Sequence, residues 1–190
     1  MSDPISIVTR ILDASSIISA PFNGTTVAPP PSFRVVQVST PITTGKHFYT
    51  GQAHSVKLNR DYAFSFIDRI PRVVEPPFLV LNPTAFTEVA GWSENEYMSL
   101  WTTVMSRFVN AVVFVADWQY SAGSCEEYLH AFTEKIPCYD ELGKYINANT
   151  AASMIYCACH RISAWGHKPD RQAFVARELR SYCQSLGKDW

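Results

Sequence analysis

The chain has 190 residues, enough for one sizeable core, and 47% apolar against 17% charged residues is a globular balance. A formal net charge of -1, with no run of Lys and Arg longer than two, argues against the basic surface that an extended nucleic acid requires. No apolar run approaches the ~20 residues that span a bilayer, and the N-terminus lacks the basic-then-apolar pattern of a secretory leader.

The five cysteines, Cys125, Cys138, Cys157, Cys159 and Cys183, are odd in number and fit free thiols in a reducing, cytoplasmic compartment. Cys157-x-Cys159-His160 has the wrong spacing for the usual C-x2-C pair, and no second pair follows. It reads as packed thiols on a helix. No metal and no cofactor are expected.

Residues 1–32 stand apart as an N-terminal extension. Ile5 to Ile18 fits a short amphipathic helix, and Pro29-Pro30-Pro31 ends it in an extended stretch. The domain begins at Phe33 and runs to residue 190. Phe33–Val38 is a short β-branched run, predicted as a buried strand. A hydroxyl-rich loop, Ser39–Gly45, breaks it. Residues 55–70 carry Leu58, Tyr62, Phe66 and Ile70 at helical spacing, and Pro71 ends that run. Phe78–Leu81 is a second strand, stopped by Asn82-Pro83.

Ser93 and Glu96 form a capping box that predicts a helix from about Glu94 to Phe108. Val112–Val115 is the third and most apolar strand. A loop containing Ser121 and Gly123 leads into a helix over 124–134, and residues 150–164 and 170–186 are two more helices. Alternating strands and helices, with continuous rather than alternating apolar strands, predict an α/β fold. The expected architecture is a Rossmann/flavodoxin-like parallel sheet flanked by helices, with the N-terminal extension and C-terminal helices added. Ligands in such sheets bind beyond the carboxyl ends of the strands, which places the loops 39–45, 82–92 and 117–123 together.

The segment from Trp118 to Glu127 lies between the most apolar strand and a helix. Gly123 allows a tight turn and close backbone approach. The helix start offers unpaired N–H groups to an anion, and Ser121 adds a hydroxyl. Glu127 sits about one turn inside the helix, with Ala131 four positions on along the same face. Plainer roles exist for each residue. Glu127 also suits a first-turn acid that favours the helix dipole, and Ser121 and Ser124 suit helix caps. Trp118 and Tyr120 suit either a stacked base or the core, and Asn82-Pro83 suits a strand-ending turn. The five histidines are scattered and make no triad with a Cys or Ser.

W-x-x-S-x-G-x-x-x-E-x-x-x-A, from Trp118 to Ala131, resembles the motif of the nucleoside 2-deoxyribosyltransferase-like families, which include nucleotide N-glycosidases and uncharacterised phage- and bacteria-associated proteins. Ser39-Thr40-Pro41-Ile42-Thr43 is similar to their SGPIT loop, and Leu81-Asn82-Pro83 to their VNP segment. The three stretches occur in order, each at the end of a predicted strand, and cover about residues 33–137.

The resemblance implies cleavage or transfer at an N-glycosidic bond. Glu127 is the implied catalytic carboxylate, attacking the anomeric carbon or stabilising an oxocarbenium-like transition state. Ser39, Thr40, Ile42, Asn82, Trp118, Ser121 and Gly123 are the implied substrate-binding residues. A Ser rather than an Asp at position 121 points to a nucleoside 5′-monophosphate over a free nucleoside. The implied partners are a small-molecule nucleotide or nucleoside and further copies of the chain, with no membrane.

The chain also departs from the family pattern. Gln37 stands where a Tyr is common, Thr40 where the loop has Gly, and Tyr97–Thr103 lacks the usual Asp, for which Glu94, Glu96 and Asp117 are the nearby substitutes. The alternatives to turnover of a nucleotide are a non-catalytic nucleotide-binding sensor, an NAD glycohydrolase, and an assembly protein acting through its N-terminal extension.

Overall fold

The computed structural model describes residues 34–67, 78–85 and 91–185. The expected N-terminal extension and its helix lie outside the described residues. Four strands, β1 (Arg34–Ser39), β2 (Phe78–Leu81), β3 (Ala111–Phe114) and β4 (Cys138–Asp140), form one parallel sheet in the order β2-β1-β3-β4. Among the described residues six α-helices flank it: α1 (Lys46–Tyr49), α2 (Ser55–Ile67), α3 (Glu94–Phe108), α4 (Ala122–Thr133), α5 (Ala148–Ala164) and α6 (Asp170–Ser185). The architecture is α/β and Rossmann/flavodoxin-like, as the alternation of apolar runs predicts.

Strand alternation sorts the core into two layers. Val36 and Val38 of β1 and Val113 of β3 pack with Phe66 of α2 on one face. Val112 and Phe114 face the other way and meet Met105 of α3, Tyr128 and Ala131 of α4, Ile155 of α5 and Leu179 of α6. Each fully buried side chain of this kind contributes roughly 1.5–3 kcal/mol through its removal from water. Gln37 and Ser39 share this second face, and both are fully buried there. A polar pair amid such apolar neighbours requires a partner.

The capping box of α3 is present: Ser93 accepts from the Glu96 amide, and the Glu96 side chain accepts from the Ser93 amide. Two elements go beyond the sequence expectation. β4 is a three-residue edge strand without an apolar run, and α1 is a single turn after Gly45. The helix expected over 124–134 begins earlier, at Ala122, because Ser121 is its cap.

β1 and β3 are adjacent, yet the chain leaves β1 first toward β2 and later returns to the other side. Such a reversal opens a crevice at the carboxyl ends of the two strands. Ser39 ends β1 at that point, in register with Phe114.

Candidate active site

A cavity of about 610 Å3 lies in this crevice, and Thr40, Ile42, Ser121, Gly123 and Glu127 line it. Thr40 follows β1 directly. Beyond it, Asn59 of α2 donates from Nδ2 to the carbonyls of Ile42 (3.2 Å) and Thr44 (3.3 Å) and so fixes the loop. Gly45 closes that loop at φ +133°, a conformation L side chains rarely adopt.

On the other side of the crevice the chain leaves β3 through Asp117, in the left-handed region, into a 3-10 turn over Trp118–Tyr120. Ser121 then caps α4 by accepting from the Ser124 amide at 3.3 Å. Ser124 is itself buried at the cavity wall, and its Oγ has no hydrogen-bond partner among the described residues. A buried hydroxyl without a partner beside open helix N–H groups is a natural contact for an anionic or hydroxyl-bearing ligand.

Glu127 is 7% exposed. Its Oε2 accepts from the Ser39 hydroxyl at 2.5 Å and its Oε1 from Gln37 Nε2 at 3.1 Å. Burial pushes its carboxyl up to about 7, the bonds from Ser39 and Gln37 oppose that rise, and the neighbouring Glu126 adds to it. Both hydrogen-bond partners are neutral, and neither supplies the positive charge that would hold the carboxyl ionised.

Three residues expected to bind substrate do not line the cavity. Trp118 packs into the core, stacked on Tyr128 with ring centroids 5.3 Å apart and against Phe114 at 4.7 Å. Its place supports packing rather than a stacked base. Asn82 faces its own turn: Oδ1 accepts from the Thr84 amide (3.1 Å) and hydroxyl (2.7 Å). That turn presents Pro83 and Thr84 to the cavity in its stead. Ser39 donates to Glu127 and does not line the cavity.

Of the three acids near the missing Asp, only Glu94 reaches the cavity. Glu96 is spent on the α3 cap and Asp117 pairs with Lys46. The helical stretch without an acid contributes Tyr97, Met98 and Trp101 to the wall, facing the α4 start. Trp92 also lines the cavity.

Arg60 and Arg171 escaped the sequence reading. Arg60, on α2, brings a cation to the cavity edge. Arg171, on α6, grips both carboxylate oxygens of Glu126 (2.5 and 2.7 Å) and reaches Glu94 at 2.9 Å. It thereby joins the wall helix α3 to the helix carrying Glu127. Neither arginine stands in a motif, and only folding shows where they point. Cys157 is exposed while Cys159 is buried, and among the described residues no three His, Cys, Asp or Glu side chains converge as a metal site. No described helix is long and apolar enough to cross a membrane.

No family model matches the chain, and neither does any curated protein or solved structure.

Proposed function

We propose that the protein hydrolyses or transfers at the N-glycosidic bond of a nucleoside 5′-monophosphate, with Glu127 as the reacting carboxylate. One observation carries the reading: a buried carboxyl faces a cavity large enough for a nucleotide, at the carboxyl ends of a parallel sheet. The resemblance of the Ser39–Thr43, Leu81–Pro83 and Trp118–Ala131 segments to nucleoside 2-deoxyribosyltransferase-like proteins supports the same reaction class.

In this reading the sugar lies against Glu127. The carboxylate attacks the anomeric carbon or balances its developing positive charge, and the base departs with the bonding electron pair. The phosphate meets the α4 N-terminus, where the amides, Ser124 Oγ and the nearby Arg60 favour negative charge. The base lies along Tyr97, Met98 and Trp101, whose flat or polarisable surfaces suit it.

A panel of nucleoside 5′-monophosphates, nucleosides and NAD, assayed chromatographically for free base, tests the proposal. Base release from a monophosphate that disappears in a folded Glu127→Ala variant is the expected result. Release that persists undiminished in that variant refutes the role of Glu127. Release of nicotinamide from NAD alone would redirect the same carboxylate to a glycohydrolase.

A second reading is a nucleotide-binding sensor without turnover. It is favoured by Gln37, which occupies a position where the resembling enzymes commonly carry Tyr. A thermal shift with nucleotide and no base released selects it.

A further inference from the structure

The polar groups around Glu127 share one property. The Ser39 hydroxyl and the Gln37 amide each contain both a donor and an acceptor. Both come from β1, two positions apart and therefore on one face of the sheet. Gln37 is fully buried, and while its Nε2 donates to Glu127, its Oε1 has no hydrogen-bond partner among the described residues. A buried carbonyl oxygen without a partner carries a desolvation cost, and it is free to accept a proton donor in another state of the site.

The nearby ionisable groups do not supply that proton. On α4, Glu126 is held by Arg171 of α6, which also pairs with Glu94 of α3. Tyr97 of α3 and Arg60 of α2 stand at the cavity wall, and neither donates to Gln37 Oε1. The carboxyl proton of Glu127 itself remains.

We propose that Gln37 is a positioning residue that keeps Glu127 hydrogen-bonded toward the cavity in both protonation states. Its amide N–H donates to the carboxylate, and after a rotation of the amide its carbonyl accepts from the carboxylic acid. A strong cation in place of Gln37 would hold Glu127 ionised and would be stranded when that charge disappeared.

The catalytic consequence rests on the reading of Glu127 as the nucleophile. When a carboxylate oxygen bonds to the anomeric carbon and the base leaves with its electron pair, the carboxylate becomes a neutral ester. Water then attacks that carbon, the ester carboxylate leaves as the anion, and the water proton passes to solvent or ligand. Neutral partners lose no ionic interaction at either step.

The test uses the full chain without ligand, so it stands whether or not any nucleotide is turned over. Denaturant unfolding is measured for wild type and Gln37→Met at about pH 5 and about pH 9, either side of the Glu127 midpoint. The inference expects a loss of stability at both values. It also expects a Glu127 midpoint, read from its 13Cδ resonance, that rises by less than about one unit, since the Gln37 bond favours the carboxylate only slightly over the acid. Loss confined to the alkaline condition, with the midpoint raised by about one unit or more, overturns it, because Gln37 then serves the carboxylate alone.

A second measurement needs no variant. In wild type, the Gln37 side-chain 13C carbonyl should move downfield as Glu127 gains its proton, since accepting a hydrogen bond deshields it. An upfield movement, or none, rejects the exchange of roles. Failure of base release with these results intact leaves the positioning role standing and removes only the glycosidase reading.

Discussion

Ser39, the last residue of β1, donates its hydroxyl to Glu127 Oε2 at 2.5 Å across 88 positions of sequence. The bond ties the sheet to α4 where a buried carboxyl meets the cavity. It also stabilises the ionised form of that carboxyl.

Ser39→Ala should therefore move the Glu127 midpoint further up from about 7. A hydrogen bond to a charged group is worth about 1.5–3 kcal/mol, which corresponds to roughly one or two units. If the ionised form reacts, base release near neutrality falls about tenfold and recovers at higher pH. A pH–rate profile measures this, and the Glu127 13Cδ titration reads the same shift without turnover. An unchanged midpoint would show that the Ser39 bond does not favour the carboxylate.

Glu127→Gln should abolish turnover and change how stability depends on pH. The folded carboxyl titrates at about 7 against an ordinary value of 4.5, so folding favours its protonated form. That contribution is complete below about 4.5, declines as pH rises, and is gone above about 7. The difference is worth about 3 kcal/mol between the two extremes. The substituted side chain is a neutral amide at any pH, so the variant should gain on wild type at pH above the midpoint and match it more closely in acid. Urea unfolding at both conditions checks this; an equal gap in both refutes the burial cost of the charge.

Two glycines near the cavity should respond oppositely to alanine. At Gly45 the new Cβ would lie 2.7 Å from Pro41 Cβ, and φ is +133°. Gly45→Ala should cost at least about 1–3 kcal/mol in strain and displace the Ile42–Thr44 loop. At Gly123 the nearest atom is Met98 Sδ at 3.6 Å, an ordinary contact. Gly123→Ala should stabilise α4 by about 0.5–1 kcal/mol while narrowing the cavity mouth. Thermal unfolding ranks the pair, and a stable Gly45→Ala would contradict the tight loop.

Arg171→Met should loosen the junction of α3, α4 and α6. The pair with Glu126 is two-pronged but partly exposed, so its removal should cost about 1 kcal/mol. Glu94 then loses its tether at the cavity, and nucleotide binding should weaken more than global stability does. Calorimetric titration beside a melting curve separates the two effects. Binding equal to wild type would place Arg171 outside the site's support.

The short β-branched or apolar runs Phe33–Val38, Phe78–Leu81 and Val112–Val115 were enough to predict the α/β sheet. A parallel strand covered on both faces needs continuous apolar residues, and that pattern is local. Ser93 and Glu96 announced α3 in the same way, because a capping box closes within one turn. The sequence offered both Ser121 and Ser124 as caps of the next helix, and the structure places the cap at Ser121. β4 was not legible, since Cys138–Asp140 owes its strand geometry to pairing with β3 rather than to its own composition.

Sequence alone determined the order of layers, the three loops that meet at one end of the sheet, and the presence of a glutamate one turn inside a helix. Only the tertiary structure decided that Trp118 turns into the core, that Asn82 bonds its own turn, and that Arg171 reaches Glu126 and Glu94. It also decided that Gln37 and Ser39 meet Glu127. The reason is physical: periodicity and caps depend on neighbours within a few residues. A side chain's final partner and the charge state of a buried carboxyl depend on which distant surfaces exclude water together.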